Sequence, residues 1–351
     1  MSISRRVTIS TAAALVLVAM FWTTTRAEDN LPTINDRYRP IRNWAKLPEG
    51  RHWGSTSAID IDRDGTSVWV AERCGTATAD PVSGVDKCTN SPVAPILKFD
   101  SSGRLINSFG AQMFIYPHGM HVDRDGNIWV ADAQGNREHT KGQQVFKFSP
   151  DGKVLLTLGK PGITGPGPDT FNEPCDVVTA PNGDIFVADG HSTSPTSTTR
   201  IMKFSKDGRF LKAWGHLGSG PGEFRTPHSL AMDSRGRLFV ADMGNFRIQI
   251  FDQEGTFLAE WKQFSRPNGI YIDRNDILYS VDAQSDDKTH PGWKRGLRAG
   301  STRDGIVTFF IPPHQTEDPD GNMGEGVTVD IDGNIYVAEV ILRSVTKFAK
   351  R

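Results

Sequence analysis

The chain of 351 residues sets 40 Lys and Arg against 41 Asp and Glu, a net charge of -1, with 37% hydrophobic and 23% charged residues. That balance excludes a disordered chain and offers no cationic surface for nucleic acid or anionic lipid. The 35 Gly and 21 Pro describe a folded, turn-rich protein, and three cysteines with no C-x-x-C spacing exclude a disulfide scaffold, a zinc ribbon and a thiol redox motif.

Residues 1–27 read as an export signal. Arg5 and Arg6 form a basic start, Thr11 to Trp22 is an apolar run, and Thr25-Arg26-Ala27 offers a small-x-small cleavage site before Glu28. The run is too short to span a bilayer, although an uncleaved anchor is the competing reading. Ser4-Arg5-Arg6 is weakly similar to a twin-arginine signal. Cleavage would remove Arg5, Arg6 and Arg26 and take the net charge from -1 to -4. The mature chain, 28–351, is then expected to be periplasmic or extracellular with no stable membrane insertion. Export allows Cys74 and Cys88, on either side of a Gly/Asp/Pro-rich insert, to form a disulfide and leaves Cys175 unpaired.

Beyond the signal, one unit recurs six times: an apolar strand, an Asp or Gly turn, and an apolar strand ending in Ala-Asp or similar. The copies are Ser57–Cys74, His118–Ala133, Cys175–Gly190, His228–Met243, Asn268–Ala283 and Glu325–Val340. Alternating apolar positions around Asp-Gly or Asn-Gly are a strong hairpin signal. Second hairpins follow at Val145–Gly159, Ile201–Gly215 and Ile248–Lys262, giving four strands per unit. Copies 40 to 61 residues apart match propeller blades. The fold expected is all-β, a six-bladed β-propeller in one domain, its ring closed by an N-terminal strand at Ile41–Leu47, because the last copy ends one strand short.

In register, Ser57, His118, Cys175, His228, Asn268 and Glu325 occupy one equivalent place that should ring the central channel. Blades two, four and six then bring His118, His228 and Glu325 together. Two imidazoles and a carboxylate form a ligand set with open positions, as catalytic zinc and non-haem iron sites require. The expectation is a divalent metal, zinc first, with calcium as an ion the propeller could hold in addition. The alternative is a set of polar residues that bind water or line a ligand pocket.

Segments such as Gly218–Phe251 resemble NHL repeats over essentially the whole mature chain. Pro117-His118-Gly119 and Pro227-His228-Ser229-Leu230 resemble the lyase half of peptidylglycine alpha-amidating enzymes, the peptidyl-hydroxyglycine lyase. That resemblance implies a zinc held by three histidines at the channel, with an arginine, a tyrosine and an aspartate around it. His118 and His228 match two ligands and Glu325 stands where the third histidine would be. Arg73 falls at the active-site arginine and His191 at the tyrosine base. Met243 replaces a second arginine, and Gly326 the aspartate. The implied activity is cleavage of a carbon–nitrogen bond in a small hydroxylated amide or peptide end, with Arg73 and His191 catalytic. Two rivals stand beside it: a non-catalytic binding module for a protein or glycan partner, and another propeller metalloenzyme such as a lactonase or streptogramin-type lyase.

Other motifs carry less. Asp60-Ile-Asp62-Arg-Asp64-Gly65 mimics an EF-hand loop but has Ala71 where the twelfth-position glutamate belongs, so a hairpin turn is expected. His121, three residues after His118, should point to the other side of its strand. His52, His139, His216, His290 and His314 are expected in loops, and the basic run Trp293–Arg298 as an exposed strand with solvated charges in preference to an anion site at the rim.

Overall fold

The structure, a computed structural model, describes residues 37–75, 86–192, 197–314 and 323–351. The expected export signal lies outside them. Among the described residues no α-helix occurs, and no helix is long and apolar enough to cross a membrane. The strands form six antiparallel sheets of four. Each sheet is one repeat, numbered here as blades one to six from Ser57 onward.

The innermost strands are Thr56–Ile61, Pro117–Val122, Pro174–Thr179, Pro227–Met232, Gly269–Ile272 and Gly326–Val329. They face the axis and turn sharply into second strands such as Ile128–Asp132. The turn chemistry does this locally: Gly126 and Gly333 sit at φ +84° and +85°, which only glycine adopts without strain, while Asp123 accepts from the N–H groups of Asp125 and Asn127. The look-alike calcium loop is the same device, with Asp62 and Asp64 accepting from backbone N–H groups of its own turn. Second strands are buried along their length, and their apolar residues pack between neighbouring blades. Trp129, Val145, Phe171, Val177, Ile185 and Met202 fill the wedge between blades two and three. Each such side chain contributes roughly 1.5–3 kcal/mol when removed from water.

The ring closes through an N-terminal strand, but not the one expected. Tyr38–Ile41 pairs antiparallel with Ser344–Lys350, with Tyr38 opposite Lys350 and Ile41 opposite Lys347. Asn43, at φ +48°, ends that strand. Trp44 then turns inward, its N–H donating to the Val345 carbonyl and its ring 4.8 Å from that of Tyr336. Burial of one large aromatic thus takes the segment 42–47 out of the ladder.

Blade five corrects a second expectation. Arg298 lies in the strand Gly296–Ser301 and is fully buried between the rings of Trp293 and Phe310, 3.9 Å from Asp282. The run is not a solvated edge because its arginine pairs with the acidic end of the neighbouring strand. His314 lies in a loop, as expected, with its ring buried against Glu339.

Those acidic strand ends explain the Ala-Asp signature. Asp132 accepts from the N–H groups of Ile115 and Tyr116, Asp189 from Asn172, Asp242 from Arg225 and Asp282 from Arg266. Each carboxylate fastens the loop that leads into its own innermost strand, and so sets where the next residues point. Cys74 and Cys88 are disulfide-bonded, with Cα atoms 5.0 Å apart, and Cys175 is a buried free thiol.

Candidate metal centre

Four of the six ring residues sit where their strands are irregular, and the other two, Asn268 and Glu325, lie just ahead of the strands Gly269–Ile272 and Gly326–Val329. Pairing with the second strand skips a register between Thr56 and Ala58, Pro117 and Met120, Pro174 and Asp176, and Pro227 and Ser229. Ser57, His118, Cys175 and His228 sit within those skips. A bulge re-aims the side chain it carries, which is why such features recur at sites. It also undoes strict alternation. His121 therefore lines the axial cavity as His118 does, held by Thr179 and Asp60 of the two neighbouring blades.

At the mouth of this cavity, of about 240 Å³, the structure brings together His118, His228 and Glu325 and adds His191. One ligand atom from each of the four lies within 4.8 Å of all the others. Glu325 Oε1 stands 3.4 Å from His118 Nε2 and 3.2 Å from His228 Nε2. A four-coordinate ion with bonds of about 2.0–2.1 Å spaces its donors about 3.3 Å apart, so these separations suit an ion between them.

Hydrogen bonding fixes which atoms face inward. His118 Nδ1 donates to the Cys175 carbonyl at 2.9 Å and His228 Nδ1 to the Asn268 carbonyl at 2.6 Å. A ring that gives its Nδ1 proton to a carbonyl presents a lone pair at Nε2, the usual outer support of a metal-bound histidine. His118 Nε2 is buried with no hydrogen-bond partner. Lone pairs of two imidazoles and a carboxylate therefore meet with no donor between them, and acceptors so placed repel unless a cation or proton lies in their midst. Burial pushes His118 below its ordinary value, against protonation. At Glu325 burial opposes ionisation, while the Arg73 charge beside its outer oxygen favours it. The residues present fit a divalent metal.

His191 was expected as a base beside the ion. It reaches the site because Gly190, at φ +124°, packs against the Thr198 carbonyl where a Cβ would stand 2.2 Å from the oxygen. The N–H groups of Gly190 and His191 both donate to the Glu173 carbonyl. The His191 ring centroid lies 4.9 Å from that of His118 and 5.3 Å from that of His228. Burial, helped by the two neighbouring histidines, depresses its pKa well below the ordinary value, so the ring is neutral.

Arg73 is buried at the rim. Its Nε donates to the Pro117 carbonyl at 3.3 Å, its guanidinium lies 3.8 Å from the Tyr116 ring centroid, and Nη2 is 3.8 Å from Glu325 Oε2. That Nη2 makes no hydrogen bond. Met243 contacts the Asn268 amide through sulfur at 3.3 Å, and Gly326 lies close to the backbone of blade one, where a Cβ would stand 3.0 Å from the Ser57 carbonyl oxygen. Sequence reasoning missed Tyr116 and Glu173. The one directly precedes the Pro-His motif and the other lies two residues before a ring position; only the blade geometry gives either meaning. Burial raises the pKa of both.

The NHL repeat family matches residues 224–251. Peptidyl-glycine alpha-amidating monooxygenase A of Xenopus laevis is 35% identical over 71% of this chain and 26% of its own length. Peptidyl-alpha-hydroxyglycine alpha-amidating lyase 1 of Drosophila melanogaster is 32% identical over 85% of this chain and 57% of its own. The chain thus spans about a quarter of the Xenopus relative and little more than half of the Drosophila one. Among solved structures, a gluconolactonase from Xanthomonas campestris superposes with a TM-score of 0.60 at 13% identity over 90% of both chains, a likeness of fold alone. Sequence, repeat and architecture together make this chain an NHL-repeat six-bladed β-propeller that resembles the peptidyl-alpha-hydroxyglycine alpha-amidating lyases.

Proposed function

We propose that the protein is an exported, metal-dependent lyase that splits the carbon–nitrogen bond of an N-acyl-α-hydroxyglycine or a closely related hydroxylated amide, a small molecule or peptide end. The observation that carries the reading is the set of inward lone pairs on His118, His228 and Glu325, 3.2–3.4 Å apart, beside a buried arginine with an unused N–H group. The first three would hold the ion, zinc being the family's choice. When bound, it would supply a Lewis acid for the carbinol oxygen.

The protein groups divide the remaining work. Arg73, with its Nη2 free of hydrogen bonds, binds the substrate carboxylate through charge-assisted hydrogen bonds. The Tyr116 ring covers the guanidinium and keeps water from it. His191, neutral, offers a Lewis base at the same centre. The hydroxyl loses its proton, its oxygen–hydrogen electron pair becomes the new carbon–oxygen π bond, the carbon–nitrogen bond breaks, and the nitrogen takes up a proton. An amide and glyoxylate result, with atoms and charge balanced.

Purified protein incubated with N-benzoyl-α-hydroxyglycine should release glyoxylate and benzamide in equal amounts, and chelation should abolish the release. Absence of turnover with zinc, manganese, iron(II) and cobalt(II) in turn overturns the reading. Arg73→Gln should lower kcat/KM about 100-fold, the scale on which lost stabilisation of developing charge is felt. Export rests on residues 1–27 and is consistent with the Cys74–Cys88 disulfide. N-terminal sequencing of the mature protein should begin near Glu28.

A further inference from the structure

We infer that His191 is a fourth protein ligand, so that the channel mouth is a three-histidine, one-carboxylate site built for an ion that takes five or six ligands. This rests on the metal reading above and changes what the ion must be. Its grounds are geometric. His191 is held from below by its own N–H and that of Gly190 on the Glu173 carbonyl, and a glycine that tolerates no Cβ turns the chain to place it there. Its ring nitrogens make no hydrogen bond to any described residue. One of those nitrogens lies within 4.8 Å of the donor atoms of His118, His228 and Glu325, as near to them as the members of one coordination shell require.

The consequence follows from coordination number. Four protein donors complete a tetrahedral zinc, which is the closed arrangement of structural sites. A substrate oxygen can then enter only if the ion expands its shell, as manganese(II), iron(II) and cobalt(II) readily do with nitrogen and oxygen donors. Glu325, an anion where the resembled lyases have a third neutral imidazole, suits such ions by adding a hard oxygen. The tyrosine-to-histidine change at 191 and the histidine-to-glutamate change at 325 are then one substitution made in two places.

Cobalt(II) reports coordination number through the intensity of its visible bands. Cobalt-loaded wild type should show the weak bands of a five- or six-coordinate ion. His191→Gln should shift to the intense bands of a four-coordinate one and bind cobalt at least about tenfold more weakly, since even outer-shell losses cost that much. His191→Ala should regain the wild-type spectrum on addition of imidazole, which keeps the test independent of any effect of the substitution on folding. A His191→Gln spectrum that superimposes on wild type, with unchanged affinity, overturns the fourth-ligand assignment and leaves the three-ligand centre standing. Failure of wild type to bind cobalt at all removes both.

Discussion

Alternate blades use one backbone position in two ways. On blades two, four and six the ring residue turns its side chain to the centre, as His118, His228 and Glu325. On blades three and five it turns its carbonyl: Cys175 O receives His118 Nδ1–H and Asn268 O receives His228 Nδ1–H. Glu325 has no ring nitrogen to donate, and blade one answers with a side chain, Arg73, 3.8 Å from its outer oxygen. At the ring position the even blades thus supply ligands and the odd blades aim them, while His191 joins from the loop after the second strand of blade three. The sixfold backbone yields a threefold set of ring ligands because each of these is oriented by the blade that follows it, blade one following blade six.

The largest effects should separate the two sets. His118→Ala, His228→Ala or Glu325→Ala should each take metal content from about one ion per chain to near zero, because a site that loses one of so few protein ligands binds weakly. Glu325→Gln should weaken binding through loss of charge. Cys175→Ala keeps the carbonyl that holds His118 and should keep the metal. Elemental analysis of chelator-free protein decides this. Full occupancy in Glu325→Ala, or loss in Cys175→Ala, breaks the division between ligand and orienting blades.

How far this was legible in sequence depends on what each feature rests on. Hairpins, blade count and the meeting of His118, His228 and Glu325 follow from alternation and repeat register, which are local and periodic. His191 was noticed only through the resemblance, and as a base. Its place among the ligands needs the Gly190 turn and the Glu173 carbonyl, which lie outside the repeat. His121 was misjudged because a bulge shifts the alternation on which strand faces are read. The closing strand was displaced because Trp44 gains more by burial between blades six and one than it would on the edge. Arg298 read as solvated because nothing in its own segment announces Asp282.

Blade one offers the next contrast, since its orienting group is a side chain on an arm rather than a carbonyl in a strand. Arg73 immediately precedes Cys74, and the disulfide to Cys88 ties that arm to the end of the loop between the second and third strands of blade one, where the Cys88 N–H donates to the Ile115 carbonyl ahead of blade two. Replacing both cysteines by serine should lower unfolding free energy by about 3 kcal/mol, the chain-entropy value for a loop of this length. Denaturant unfolding measures it. Metal content should stay near that of wild type, because no ligand lies on the arm, while turnover falls with the looser Arg73. Metal loss equal to that of His118→Ala would show that blade one does more than orient.

The smallest effect concerns the carboxylates that fasten the loops ahead of the ring. Asp189, Asp242 and Asp282 lie near Arg200, Arg247 and Arg298, at 3.0, 2.8 and 3.9 Å. Asp132, ahead of His118, faces Gln144 across the strand pair instead. Burial raises its pKa to about 7, with backbone N–H groups of Tyr116 and Ile115 and the charge of Lys141 only partly opposing it. A carboxyl raised in the folded state binds more protons than in the unfolded chain, so its contribution to stability is full below the unfolded value near 4 and is lost as pH rises through 7. Asp132→Asn does not titrate. The stability of wild type relative to this variant should therefore fall by about 2 kcal/mol between pH 5 and pH 7. Asp189→Asn should show a smaller change over the same interval, because Arg200 limits the rise there to about 6. Paired thermal unfolding at the two pH values reads both differences. If the Asp132 difference is flat, the carboxylate is ionised throughout, and the loop before His118 is fastened no differently from those of the arginine-paired blades.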